Sequence, residues 1–161
     1  MHIYLDYNAT TPVAQEVVDE MLPYFRHRFG NPSSGHWYGE QARKAVVEGR
    51  RKVASLLGCD PSEIVFTGGG SEANNHAIKG VASARRHRGN HIITSSVEHP
   101  AITNPCRFLE TQGLEVTWLP VDKFGMVNPE DVRSAITGKT VLITIMHANN
   151  EVGTIQPIAA I

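Results

Sequence analysis

The spacing of hydrophobic and polar positions changes once along the chain. Between Val13 and Phe29, Val17, Val18, Met21, Leu22 and Phe25 recur at three- and four-residue steps, which predicts an amphipathic helix. A longer helix is predicted from His36 to Leu57, with Ala42, Ala45, Val46, Val53, Leu56 and Leu57 on its apolar side. Gly58 stands where a helix stop belongs. "GNPSSG", Gly30 to Gly35, interrupts the periodicity and reads as an ordered loop. Met1 to Thr11 opens with a short extended run followed by turn-like residues.

From residue 63 onward the apolar runs become short, β-branched and nearly continuous. "EIVFT" (63–67), "HIITS" (91–95), "LEVTWLPV" (114–121) and "TVLITIM" (140–146) have the character of strands covered on both faces. Helical patterns separate them at about 71–87, 100–112 and 129–136. Strands alternating with helices predict an α/β fold, a three-layer α/β/α sandwich around a mainly parallel sheet. Right-handed crossovers place the helices on the two faces.

Composition narrows the class. An apolar content of 41% in 161 residues suffices for a buried core, and a net charge of -1 with mixed signs offers no field for nucleic acid. The basic cluster "ARRHRG" follows a predicted helix and complements its C-terminal end. Cys59 and Cys106 form neither a metal-ligand spacing nor a disulfide framework, so both read as structural and no metal site is expected. A reducing, cytoplasmic setting follows by default. "MHIYLDYNATTP" lacks the features of a secretory leader, and no apolar run approaches the roughly 20 residues that span a bilayer.

Four segments carry candidate chemistry. In "EIVFTGGGSEANN", Gly68, Gly69 and Gly70 precede a helix that starts near Ser71. Such a turn admits positive φ and close approach of a ligand, and the free N–H groups of a helix start attract a phosphate. The triplet matches neither a Walker nor a dinucleotide fingerprint, so a tight turn capped by Ser71 remains the equal alternative. In "SSVEHPAI", Pro100 suits the first helical position and holds His99 on fixed backbone at a strand's C-terminal end. There an imidazole stacks on a flat cofactor and exchanges protons, or else simply caps the helix or faces solvent. "IMHANNEVGTIQP" brings Asn149 and Asn150 to the same edge, with His147 and Glu151 beside them and Gly153 as breaker. In "LDYNATTP", Asn8, Thr10 and Thr11 either line a substrate pocket or form a turn before the first helix.

As a set, "YLDYNATTP", "FGNPSSGHWYG", "EIVFTGGGSEANN", "HIITSSVEHPAI" and "IMHANNEVGTIQP" closely resemble the cysteine desulfurases. These are class-V aminotransferase-like, fold-type I pyridoxal-phosphate enzymes, and the resemblance covers essentially the whole chain. It implies pyridoxal 5'-phosphate as cofactor, L-cysteine as substrate, and L-alanine plus an enzyme-bound persulfide as products. The sulfur would pass to an iron–sulfur scaffold or another sulfur-acceptor protein, and the enzyme would be a homodimer. Matched by position, Gly70 and Ser71 would hold the phosphate, with serine where the family commonly has threonine. His99 would stack on the pyridine ring and serve as the catalytic proton carrier. Asn150 would contact the cofactor's phenolic oxygen or the substrate carboxylate, and Asn8, Ala9 and Thr10 would lie near the substrate. Residues 1–30 would form an arm and helix belonging to a small domain or dimer contact. Residues 31–161 would be the first part of the large, cofactor-binding domain, truncated at its C-terminal side.

The family's Schiff-base lysine, persulfide cysteine and substrate-clamping arginine match no residue here. Lys44, Lys52, Lys79, Lys123 and Lys139 all read as surface lysines. The chain alone is therefore expected to be inactive: the N-terminal part of a whole enzyme, one chain of a split enzyme, or a non-catalytic partner-binding module. A selenocysteine lyase or other fold-type I enzyme remains the alternative activity.

Overall fold

The computed structural model describes residues 2–161. Two units divide the chain, Met1–Phe66 and Thr67–Ile161. Met1, where the predicted extended run begins, lies outside the described residues.

In the first unit, residues 2–14 form neither helix nor strand, and a turn runs through Tyr7–Ala9. Two helices follow, α1 (Gln15–Arg26) and α2 (Trp37–Leu57). The apolar stripe of α1 is the predicted one, yet this helix buries no residue, and Phe25 is 71% exposed. At the start of α2, His36 Nδ1 accepts the Gly39 N–H at 3.3 Å. Here the glycines of the preceding loop show their use: a Cβ on Gly30 would stand 2.2 Å from the Tyr38 carbonyl oxygen, and one on Gly39 2.3 Å from that of Ser34. No side chain fits between loop and helix. Gly58 closes α2 in the left-handed region at φ 69, donating its N–H to the Ala54 carbonyl.

The strand predicted at 63–67 does not form. Glu63 ends a short 3₁₀ turn, Pro61–Glu63, and its carboxylate accepts the Asp60 N–H at 2.7 Å. Ile64 is extended, but its carbonyl receives the Arg50 guanidinium, and no strand pairs with this run among the described residues. β-branched composition gives a strand only where a partner ladder exists.

The second unit contains α3 (Gly70–Ala84), β1 (His91–Ser95), α4 (Pro100–Thr111), β2 (Glu115–Leu119), α5 (Pro129–Ala135) and β3 (Thr140–Thr144). The strands form a wholly parallel sheet in the order β2-β1-β3. Every residue of the central strand is buried, whereas β3 is half-buried throughout. Strand alternation sorts the apolar residues onto two faces. Ile92, Val116, Trp118 and Leu142 pack with Ile78 and Ala82 of α3 and with Ile102, Cys106 and Leu109 of α4. Ile93, Leu119 and Ile143 pack on the opposite side with Val127 and with Val132 of α5.

This division follows from handedness. The chain steps from β1 to β2 in one direction and from β2 past β1 to β3 in the other. Keeping both crossovers right-handed requires α4 and α5 on opposite faces.

At the N-terminal end of β1, His91 ties the three strands together. Its Nδ1 lies 2.8 Å from Thr140 Oγ1 and its Nε2 2.8 Å from Thr117 Oγ1. His91 is 4% exposed, and removing its ring leaves the Thr117 hydroxyl without its partner, while Thr140 Oγ1 still accepts the Thr137 N–H at 2.8 Å. His91→Leu is expected to lower stability by about 1–3 kcal/mol in urea unfolding, leaving helix content intact. A variant as stable as the parent would show that the bridge contributes nothing.

Candidate functional site

The site is built at the C-terminal edge of the sheet, where β1 and β3 part. The crossover leaving β1 runs to β2, so nothing of it covers the gap beside β3, and such gaps are where open parallel sheets bind ligands. A cavity of about 240 Å³ opens there, lined by Asn74, Glu98, His99, Thr144 and Met146 among others. Next to it a cleft of about 430 Å³ is lined by Ser71, Asn75, Lys79, His99, Asn104 and Phe108, among others. His99 lines both.

The glycine turn departs from its expected conformation. None of Gly68, Gly69 and Gly70 lies in the left-handed region, and Gly69, at φ 161, is extended. What their lack of side chains supplies is room, since a Cβ on Gly69 or Gly70 would meet nothing within 4 Å. Ser71 does not cap the helix either, because α3 begins at Gly70 without a side-chain cap. Instead the Glu72 carboxylate takes the Gly68 N–H at 2.6 Å. The N–H groups of Gly70, Ser71 and Glu72, at the positive end of a 15-residue helix, have no partner among the described residues.

His99 is the N-cap of α4, and its Nδ1 accepts the Ala101 N–H at 3.0 Å. That nitrogen must be unprotonated, which leaves the ring proton on Nε2. Capping and chemistry were alternatives in the sequence; here one nitrogen caps and the other is left over.

The loops that flank His99 are joined across the gap. Glu98, 9% exposed, accepts the Ser95 hydroxyl at 2.7 Å and the Met146 N–H at 2.8 Å, both at Oε1. Asn149, 8% exposed, donates to the Val97 carbonyl at 3.1 Å. Its own Oδ1 accepts the N–H groups of Glu151 and Val152 at 2.8 and 3.0 Å, which folds the turn that Gly153 completes at φ 78. Asn150 is exposed and donates to Glu151 at 2.8 Å, and it lines neither cavity.

Of the residues singled out in the sequence, the structure therefore brings Ser71 and His99 to one cleft, with Gly70 beside Ser71. Asn150 stands on the adjoining turn. Asn8, Ala9 and Thr10 belong to the first unit, in an exposed turn where Tyr4 Oη lies 2.6 Å from Thr10 Oγ1 and donates to the Asp6 carbonyl at 2.8 Å. Sequence reasoning passed over Asn74 and Asn75, although "EANN" placed two amides on the first turns of α3. It also passed over Glu98, whose signal was only its place before His99.

The start of α3 and the imidazole of His99 thus meet in one cleft at the switch point of a parallel sheet, where α/β proteins bind ligands. The chain belongs to the class-V aminotransferase family: the profile described as Aminotransferase class-V matches residues 3–161. Within that family it is 54% identical over 156 residues to a protein named cysteine desulfurase IscS from Dictyoglomus turgidum. That match covers 97% of this chain and 40% of the relative, so the chain spans about two fifths of the relative's length. A solved structure described as a NifS-like protein superposes with a TM-score of 0.93 at 42% identity, over 98% of this chain and 43% of that one. Another, described as SspA in complex with cysteine, gives 0.91 at 48% identity, over 98% of this chain and 45% of that one.

Cys106, on the core-facing side of α4, is fully buried. Burial, reinforced by the charges of Glu110 and Glu98, pushes its thiol up to about 11. In native protein near pH 8, a thiol reagent is expected to modify the half-buried Cys59 and spare Cys106, and both should react in urea. The unfolded chain loses the Cys106 proton near its ordinary value of 9.0 while the folded chain keeps it to about 11, so stability falls as pH rises through that window. Cys106→Ala should flatten that fall, and equal slopes in both proteins would refute the assignment.

Proposed function

We propose that this chain supplies the phosphate cradle and the ring-stacking histidine of a pyridoxal-phosphate site in a cysteine desulfurase. The enzyme would take sulfur from L-cysteine, release L-alanine, and hand a persulfide sulfur to an iron–sulfur scaffold or other acceptor protein. The observation that carries this reading is the convergence of Ser71 and His99 on one cleft at the sheet's switch point. Kinship with proteins named cysteine desulfurase supports the substrate.

The residues present fit the cofactor. The unpartnered N–H groups at the start of α3, the Ser71 hydroxyl and the open space over Gly69 and Gly70 would hold its phosphate. When bound, the cofactor supplies an electron sink for the substrate's Cα. The chain's own residues bind and orient it. His99, its ring direction set by the α4 cap, presents its Nε2–H to the cleft and becomes a proton donor to substrate when Nδ1 takes up a proton and releases the cap. Asn150 would contact the phenolic oxygen or the substrate carboxylate, and Asn8, Ala9 and Thr10 would take part in substrate binding. Residues 1–30 serve a small domain or dimer contact and 31–161 begin the cofactor-binding domain of a cytoplasmic homodimer.

No lysine here is read as the cofactor's anchor. Lys79 lines the cleft, but its ammonium lies over the Phe108 ring at 4.6 Å, and Lys44 pairs with Glu40 at 3.0 Å. This chain by itself is thus expected to turn over no cysteine.

Two variants of the full-length polypeptide test the reading. Ser71→Ala with Gly70→Val removes a charge-assisted hydrogen bond and fills the open space, which should weaken pyridoxal-phosphate binding by at least about tenfold. Unchanged affinity would remove the phosphate assignment. His99→Asn keeps a capping oxygen but cannot carry the proton, so cofactor binding should persist while turnover of L-cysteine falls by about 10²–10⁴. Full turnover would reduce His99 to a helix cap.

A further inference from the structure

The reading above leaves unexplained why a buried carboxylate stands next to His99. Glu98 is 9% exposed in the second unit, and no cation pairs with it among the described residues. A buried carboxylate without a counter-ion is costly unless hydrogen bonds compensate it. Here Oε1 accepts both the Ser95 hydroxyl, from the last residue of β1, and the Met146 N–H, from the loop after β3. These two donors belong to segments that no ladder joins beyond Thr94 and Thr144. A second link, from Asn149 to the Val97 carbonyl, closes the same seam one residue away.

We infer that Glu98 is a positioning residue for His99, acting through the reach of its side chain and not through its charge. Glu98 fixes the backbone of residues 96–99 against the β3 loop. His99 follows directly, and its ring is then locked by the Ala101 N–H at Nδ1. With the seam closed, the imidazole's position is determined by the ends of two neighbouring strands, not by one loop alone. Catalytic groups need this kind of support, because a displacement of about 1 Å can cost on the order of 10²-fold in rate.

The inference rests on the reading of His99 as the ring-stacking proton carrier, and its test separates the two. Glutamine keeps an oxygen able to accept both donors but no charge, whereas aspartate keeps the charge and is one methylene too short. In full-length protein with ¹⁵N-labelled histidine, His99 should show the Nε2–H tautomer in the parent and in Glu98→Gln. In Glu98→Asp and Glu98→Ala its nitrogen shifts should move toward a mixture of tautomers. Turnover should follow: Glu98→Gln within about threefold of the parent, Glu98→Asp and Glu98→Ala down by about tenfold or more, with pyridoxal-phosphate affinity changed far less.

Should Glu98→Ala fail to fold, the glutamine and aspartate pair still decides. A functional aspartate variant with an impaired glutamine variant would make charge the operative property and overturn the inference, as would parent-like tautomers in every variant. If His99→Asn left turnover unchanged, the functional reading would fall while the tautomer result still judged the seam.

Discussion

The structure around the site depends on one constraint, the fixed hand of parallel crossovers. Because β1 sits between β2 and β3, a chain that keeps one hand must lay α4 and α5 on opposite faces. The central strand is then sealed on both sides, which is why all five of its residues are buried. The same reversal leaves the C-terminal gap between β1 and β3 uncovered. Core and cleft are thus two results of one topological choice.

The gap would be a loose place without the hydrogen bonds that cross it. Glu98 and Asn149 join segments 48 and 52 residues apart in sequence. Each is nine-tenths buried or more, so each bond forms where water competes poorly. The strand ladders align β1 with β3 up to their last paired residues, and these two side chains extend that alignment into the loops.

What was legible in the sequence was what local chemistry decides. "HIITS" became β1 residue for residue because a β-branched run covered on both faces has few other options. Pro100 and Gly58 marked helix ends through their own backbone preferences. "EIVFT" has the same composition as the true strands, yet its carbonyl at Ile64 went to Arg50, an outcome that local pattern cannot foresee. The glycine triplet provides open space and not the positive φ that its composition suggests. Asn149 and Asn150 are indistinguishable by type. Only the fold buries the first as a brace and leaves the second exposed.

The helix cap made by His99 carries a consequence for traffic through the ring. A histidine with both nitrogens open can take a proton on one side and release it from the other, acting as a stepping stone between two partners. With Nδ1 committed to the backbone of α4, this ring has a single door. That door already carries the ring's proton, so the ring can take up a further one only at Nδ1, by letting go of the helix start.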